Sequence, residues 1–160
     1  MNYILALGSN TEDRVKFLNA ALSGLNKIGQ VLSKSSLYES KPYGYEEQLN
    51  FLNAVCIFKF SNNAFRLLRK IKQIETESGR TKSFHWGPRQ IDIDVVEWDG
   101  PVVESDVLTV PHKDMGNRAF VLKPLMELLP EFHTRNGESV RKLFDKLNDK
   151  YSVSLSNKQW

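Results

Sequence analysis

Cysteine is almost absent from this chain. The single Cys56 excludes an internal disulfide and fits a reducing compartment. Its place in an alternating apolar stretch marks it as a small core residue rather than a nucleophile. No apolar run approaches the length of a membrane span, and the first residues carry neither a basic n-region nor a signal-like stretch. The expected location is therefore the cytoplasm, with no membrane partner. An excess of one charge is also lacking: 22 basic residues face 19 acidic ones, for a net charge of +3. That excess is too slight to argue for nucleic acid, but local basic groups could still hold a small anion. There is no repeat, low-complexity segment or linker. No Gly-x-x-x-x-Gly-Lys sequence occurs, which excludes a P-loop kinase. What remains is a 160-residue chain, 41% hydrophobic and 26% charged, suited to one domain with one sizeable core.

The apolar residues give the element order. Asn2 to Leu7 reads as a buried strand, ended by Gly8-Ser9-Asn10. Val15, Leu18, Leu22 and Leu25 recur at helical spacing, with Ala21 and Ile28 on the same side, up to Gly29. Val31 to Glu39 reads as a serine-rich strand and residues 41–45 as a loop. Gln48 to Phe60 is the longest strand candidate. There Phe51, Asn53, Val55 and Ile57 share one face, and Leu52, Ala54, Cys56 and Phe58 the other. Asn53 interrupts an apolar row, and a buried amide needs partners, either a ligand or a neighbouring loop. Ser61-Asn62-Asn63 caps a second helix over 64–78, with an inner stripe at Phe65, Leu68, Ile71 and Ile74 or Glu75, closed by Gly79. Pro101 to Val103 is expected to begin a return strand, and residues 108–112 an extended segment. Residues 117–129 have helical spacing that Pro124 should kink or divide. Val140, Leu143, Phe144 and Leu147 form a last helix, after which the polar tail beyond Lys150 is expected to fray. The order implies an α+β domain with a mainly antiparallel sheet and a ferredoxin-like β-α-β-β-α-β core, carrying additional strands and helices.

The chemistry concentrates in His85 to Val96. Asp92 and Asp94 alternate with Ile91, Ile93 and Val95, so both carboxylates point to one face of a strand, with Cα atoms roughly 7 Å apart. Such a pair suits one or two hard cations, and magnesium in particular, whose shell substrate phosphates would complete. An amphipathic edge strand would show the same alternation. The neighbours favour a site: Arg89 is matched to phosphate oxygens, and Trp86-Gly87-Pro88 adds a rigid turn and an aromatic surface. The preceding basic and aromatic segment, residues 80–86, is a loop of the kind that carries function.

Several runs together resemble one family. They are residues 6–10, 38–44, 51–54, Glu75 with Gly79-Arg80, Trp86-Gly87-Pro88-Arg89 with Asp92-x-Asp94, residues 108–112, and Asn117-Arg118-x-Phe120. In order and spacing they are similar to 6-hydroxymethyl-7,8-dihydropterin pyrophosphokinase of the folate pathway, across nearly the whole chain. The resemblance implies a single pyrophosphokinase domain over residues 1–160. It also implies transfer of pyrophosphate from ATP, by attack at its β-phosphorus, to the pterin hydroxymethyl oxygen, with release of AMP. Two Mg²⁺ ions are implied, with ATP as co-substrate, and the chain is expected to act as a monomer.

Each role follows by position. Asp92 and Asp94 match the metal ligands, Asp92 also reaching the substrate. Arg80 and Arg89 match catalytic, phosphate-contacting arginines. For ATP the resemblance adds Glu75, Lys82, Trp86, Thr109, His112 and Lys113. Lys82 stands where arginine is common, keeping the charge but losing the bidentate fork, and its loop is about one residue short. Lys113 replaces an aromatic residue. For the pterin, Phe51 (often tyrosine) and Phe120 match two stacking plates, and Asn53 the reader of the hydrogen-bonding edge. Gly8, Ser40, Lys41, Tyr43, Trp86 and Arg118 match further pocket residues. Lys41 contributes only backbone, because proline is frequent there. The 80–88 loop is expected to close as a lid with Trp86 over the site. Two rivals share part of this set. A two-metal phosphohydrolase needs Asp92, Asp94 and Arg89 but not Phe51, Asn53 and Phe120. A non-catalytic nucleotide-binding module needs only the fold.

Overall fold

The computed structural model describes residues 1–42, 47–81 and 87–160. The elements run β1 (Asn2–Ser9), α1 (Arg14–Ile28), β2 (Gln30–Lys34), β3 (Tyr38–Ser40), β4 (Phe51–Lys59), α2 (Ala64–Glu77) and β5 (Asp92–Trp98), followed by β6 (Val103–Glu104), β7 (Thr109–Val110), α3 (Ala119–Leu128), α4 (Val140–Asp145) and β8 (Val153–Leu155). The main sheet has the order β5-β1-β4-β3-β8, with β2 also paired to β4, and every pairing is antiparallel. The expected α+β class with a mainly antiparallel sheet is therefore what forms. In β1-α1-β2 and β4-α2-β5 each helix carries the chain over a neighbouring strand, so the two units interleave.

The period-two pattern of β4 sorts its side chains as expected. Leu52, Ala54, Cys56 and Phe58 pack with Leu18, Leu22 and Leu25 of α1 and Leu67 and Ile71 of α2. Val55 faces the opposite layer with Val121, Leu122 and Leu125 of α3 and Val140 and Phe144 of α4. Each such fully buried leucine contributes about 1.5–3 kcal/mol relative to exposure. A register shift between Ile4 and Leu5 leaves Val96 as the extra residue of β5. The bulge re-aims Trp98, which stacks on Tyr3 at 5.2 Å instead of facing the other layer.

Five local expectations need correction. The strand expected over 31–39 is two strands. Ser35 breaks it by donating its backbone N–H to the Val55 carbonyl while its hydroxyl accepts from the Val55 N–H. Phe65 is 44% exposed, because the first turns of α2 bury Ala64 and Leu67 in place of Phe65 and Leu68, while Ile71, Ile74 and Glu75 are buried as expected. The segment after Pro101 does not return along β5: β6 pairs with β7. Trp98 Nε1 donating to the Pro101 carbonyl, and Arg135 donating to the carbonyls of Trp98 and Gly100, hold the chain in that turn. Pro124 lies inside α3 without dividing it, since it removes a single helical N–H while Leu122 and Leu125 stay buried on either side. The tail is not frayed. β8 satisfies the outer edge of β3, and Trp160 Nε1 donates to the Ser35 carbonyl at 3.0 Å. Among the described residues no helix is long and apolar enough to cross a membrane.

Candidate active site

The sheet register lays out the site. Asp92 pairs with Gly8, Gly8 with Asn53, and Asn53 with Tyr38, forming one row across β5, β1, β4 and β3. Directly paired residues point to the same face. Asn53 and Asp92 therefore rise on either side of a residue with no side chain. Strands about 4.8 Å apart put roughly 10 Å between the two backbones. A Cβ on Gly8 would lie 3.4 Å from Asn53 Oδ1 and 3.6 Å from Phe51 Cδ1, so glycine keeps this floor open. Asp94 sits one row away, paired with Ala6. The face opens into a cleft of about 820 Å³, which Arg118 and Phe120 also line.

One end of the cleft is ionic. Arg80 NH1 bonds Asp92 Oδ1 at 2.9 Å, Arg89 NH1 bonds Asp92 Oδ2, and Arg118 NH1 bonds Asp94 Oδ2 at 2.9 Å. Burial pushes the Asp92 carboxyl up, but Arg89, Arg80 and Lys72 outweigh it and hold the group below its ordinary value. Arg80 owes its place to the end of α2. Gly79, at φ +93°, lets its own N–H reach the Thr76 carbonyl and that of Arg80 reach Glu75. This Schellman turn swings Arg80 back over the helix. Its guanidinium then meets Glu75 Oε2 at 2.7 Å as well as Asp92. His112 lies at the same end. Its Nδ1 accepts the Asp114 N–H, so in the neutral ring the proton is on Nε2. Burial, then Arg118, pushes this imidazole down despite Asp94 and Asp114, leaving it a neutral donor at pH 7.

The other end is uncharged. Asn53 is 4% exposed and its Nδ2 donates to Ser40 Oγ at 2.9 Å and to the Tyr38 carbonyl at 3.4 Å. Phe51 and Phe120 line the cleft as half-buried rings. Arg118 reaches along it, with its guanidinium carbon 5.8 Å from the Phe120 ring centre.

The cleft thus gathers Gly8, Ser40, Lys41, Phe51, Asn53, Arg80, Arg89, Asp92, Asp94, His112, Arg118 and Phe120 from the expected set. Three expected ATP contacts do not line it. Glu75 lies behind it, 2% exposed, with Oε2 against Lys72 and Arg80 and Oε1 accepting the Ile93 N–H at 2.8 Å. Its phase on α2 turns it toward the strand that carries the two aspartates. Thr109 is engaged in the β6–β7 ribbon, and Lys113 is exposed outside the cleft. Tyr43, Lys82 and Trp86, and with them the lid, lie outside the described residues. Sequence reasoning missed Lys72, Asp114, Asn117 and Asp149, which also line the cleft. Lys72 carried a local signal in its three-residue spacing from Glu75 on a helix, and Asn117 in the Asn117-Arg118-x-Phe120 run, whereas Asp114 and Asp149 carried none.

The residues fit magnesium in one mode. Among the described residues no group of three or more His, Cys, Asp or Glu could hold a metal by itself. Asp92 and Asp94 side by side, 22% and 35% exposed, are the two carboxylates that magnesium uses when phosphates complete its shell.

Comparisons with known proteins give the family. The family model described as 7,8-dihydro-6-hydroxymethylpterin-pyrophosphokinase matches residues 4–130. A Bacillus subtilis 2-amino-4-hydroxy-6-hydroxymethyldihydropteridine pyrophosphokinase is 44% identical over 126 residues, 78% of this chain and 75% of that protein. The Haemophilus influenzae protein of the same name is 32% identical over 154 residues, 95% of this chain and 96% of that one. The folic acid synthesis protein fol1 of Schizosaccharomyces pombe is 42% identical over 146 residues, which are 89% of this chain but only 20% of that longer protein. A solved Plasmodium falciparum HPPK-DHPS with pteroate shares the fold, at TM-score 0.74 and 16% identity, over 96% of this chain and 46% of that one. The chain belongs to the 7,8-dihydro-6-hydroxymethylpterin-pyrophosphokinase family.

Proposed function

We propose that this chain, acting as one monomeric domain in the cytoplasm, transfers the pyrophosphoryl group of ATP to the hydroxymethyl oxygen of 6-hydroxymethyl-7,8-dihydropterin and releases AMP. The observation that carries the reading is the row Asp92–Gly8–Asn53. A phosphate-type site and an amide-and-aromatic site flank one open residue, about a substrate's width apart. The hydroxymethyl oxygen attacks the β-phosphorus and passes its proton to solvent as the new P–O bond forms. The bond to the α,β-bridging oxygen breaks, and AMP leaves with that electron pair.

The chain's part in this is positioning and charge stabilisation. Asp92 and Asp94 would hold Mg²⁺, which supplies Lewis acidity at the phosphate oxygens when bound. Arg80, Arg89 and Arg118 already lie on those carboxylates, so they stand within reach of an incoming triphosphate and can pass from carboxylate to phosphate oxygens. His112, neutral with its Nε2–H free of the Asp114 contact, offers a hydrogen bond without adding charge. At the other end Asn53, pinned by Ser40, presents its amide to the pterin's hydrogen-bonding edge, and Phe51 and Phe120 offer ring faces.

The test is to incubate the protein with Mg²⁺ and ATP, with and without 6-hydroxymethyl-7,8-dihydropterin, and separate the nucleotides. AMP that appears only with the pterin, one per pterin consumed, is the expected result. AMP or ADP formed without pterin would favour a phosphohydrolase. No turnover with both substrates would leave a binding module and overturn the reading.

A further inference from the structure

Glu75 is buried behind the cleft, and both of its carboxylate oxygens are taken. Oε1 accepts the Ile93 N–H at 2.8 Å. Oε2 carries two cations, Lys72 Nζ at 2.9 Å and Arg80 NH1 at 2.7 Å. The same Arg80 NH1 lies 2.9 Å from Asp92 Oδ1, so one guanidinium bridges two carboxylates. Among the described residues each of those carboxylates has one further cationic partner, Arg89 on Asp92 and Lys72 on Glu75. The two differ in what remains once Arg80 turns to a phosphate. Asp92 lines the cleft, keeps Arg89 and stands open to a metal ion. Glu75 is shut away from water, and the Lys72 ammonium is its one remaining counterion. Lys72 lies one helical turn before Glu75 on α2, so a single rigid element holds that pair. Arg80 sits beyond the end of the helix, after Gly79, and its bond to Glu75 can be exchanged without disturbing α2.

We propose that Lys72 is a positioning residue for the nucleotide: it keeps the buried Glu75 carboxylate paired while Arg80 passes onto the phosphates. The proposal rests on the pyrophosphokinase reading. Removing the last counterion from a buried carboxylate is costly, whereas removing one of two is not. With Lys72 in place, Arg80 can give up both carboxylates for phosphate oxygens without stranding a charge. Without Lys72, Arg80 is the one cation on Glu75, and the nucleotide must draw it from a partner that has no other. Lys72 therefore acts on nucleotide affinity through Glu75 and Arg80, and needs no contact with the ligand. In the free protein its loss matters little. Arg80 still neutralises Glu75 there, and the Lys72 side chain is itself 52% exposed.

A double-mutant cycle read by calorimetry tests this without turnover. The titrant is Mg²⁺ with α,β-methylene-ATP, whose methylene replaces the oxygen of the bond to be broken. Lys72→Met is expected to bind it about 10-fold more weakly than the wild type, while the melting temperature of the free protein stays within a few degrees. Lys72→Arg keeps a cation on Glu75 and is expected to stay within about twofold of the wild type. The deciding comparison is made in Glu75→Gln, which has no charge to strand. There, adding Lys72→Met is expected to change the affinity less than about twofold. A loss of the same size in that background would mean that Lys72 meets the nucleotide directly, and would overturn the proposal. Wild-type affinity in Lys72→Met would overturn it as well, whatever happens to the melting temperature. Should Glu75→Gln not fold, Arg80→Met serves as the background, because with no Arg80 to release, Lys72→Met again has little to change. Pterin-dependent AMP formation by the wild type, together with either contrary result, would sink the role of Lys72 and leave the reaction standing.

Discussion

The two ends of the cleft share the face of one sheet and differ in what holds them. At the Asp92–Asp94 end the side chains are held by ion pairs, three guanidinium groups on two carboxylates, all between 22% and 35% exposed. Exposed pairs of this kind are worth about 0–1 kcal/mol each, so they are readily exchanged. At the Asn53 end the partners are a hydroxyl, a backbone carbonyl and aromatic rings, and the amide is buried. Neutral buried hydrogen bonds lack a competing ion and keep their geometry. The contrast fits the proposed ligands, one a magnesium-bound polyphosphate that would displace counterions, the other a flat heterocycle that would match a shape.

The largest effect is expected from Asp94→Ala. Turnover should fall about 10³-fold or more in the AMP assay. The melting temperature should stay within a few degrees, because the Arg118 pair is a third exposed. A folded variant with wild-type turnover would remove the metal assignment and with it the ionic character of that end. Next in size is Glu75→Ala, which breaks a buried pair and strips the Ile93 N–H of its acceptor. Denaturant unfolding should register a loss of about 3 kcal/mol. Equal stability with weakened ATP binding would return Glu75 to the nucleotide site and blur the line between support and contact. Gly8→Ala should fold normally, since its Cβ meets neighbours no closer than 3.4 Å. It should nonetheless weaken pterin binding, by about 1–3 kcal/mol, by filling the floor between Asn53 and Phe51. Undiminished pterin affinity would place the ring elsewhere.

The smallest expected effect is in pH dependence, and it separates the ends by sign. The folded Asp92 carboxyl lies below its ordinary 3.8, so its contribution is complete above that value and is lost as pH falls through the lowered one. Tyr38, whose carbonyl supports Asn53, is pushed from 10.0 to about 12 by burial and by its bond to Glu127. The native state keeps that proton where the unfolded chain has lost it. Its contribution is therefore complete below pH 10 and disappears between 10 and about 12. Cys56, raised from 9.0 to about 12 by burial, adds the same sign from pH 9 upward. Unfolding free energies measured across pH should show a decline on both flanks. Asp92→Asn should lessen the acid decline and leave the alkaline one untouched.

Much of the ionic end is legible in the chain because period two is local information. Asp92 and Asp94 share a face in any strand, and Arg80 after Gly79 is a recognisable helix exit. The uncharged end is less so. Nothing near Asn53 reveals that Gly8 will lie beside it, because register is a non-local property. Ser35 illustrates the same limit, since one hydroxyl bonding across to Val55 splits a strand that looks continuous. The tail escaped notice because its value depends on an unpaired edge at β3, more than a hundred residues earlier. Glu75 was assigned to the nucleotide side by resemblance. Its burial fits the inward end of the expected stripe, but that its carboxylate accepts the Ile93 N–H depends on how α2 packs on β5, which is again non-local.

The division of the cleft is tested most directly by titrating each ligand alone into Asp94→Ala and Asn53→Ala. The account predicts a crossed result. Asp94→Ala loses Mg²⁺-dependent binding of α,β-methylene-ATP and keeps pterin binding within about twofold, while Asn53→Ala weakens pterin binding about 10- to 100-fold and leaves nucleotide binding in place. Equal losses of both ligands in both variants would contradict it.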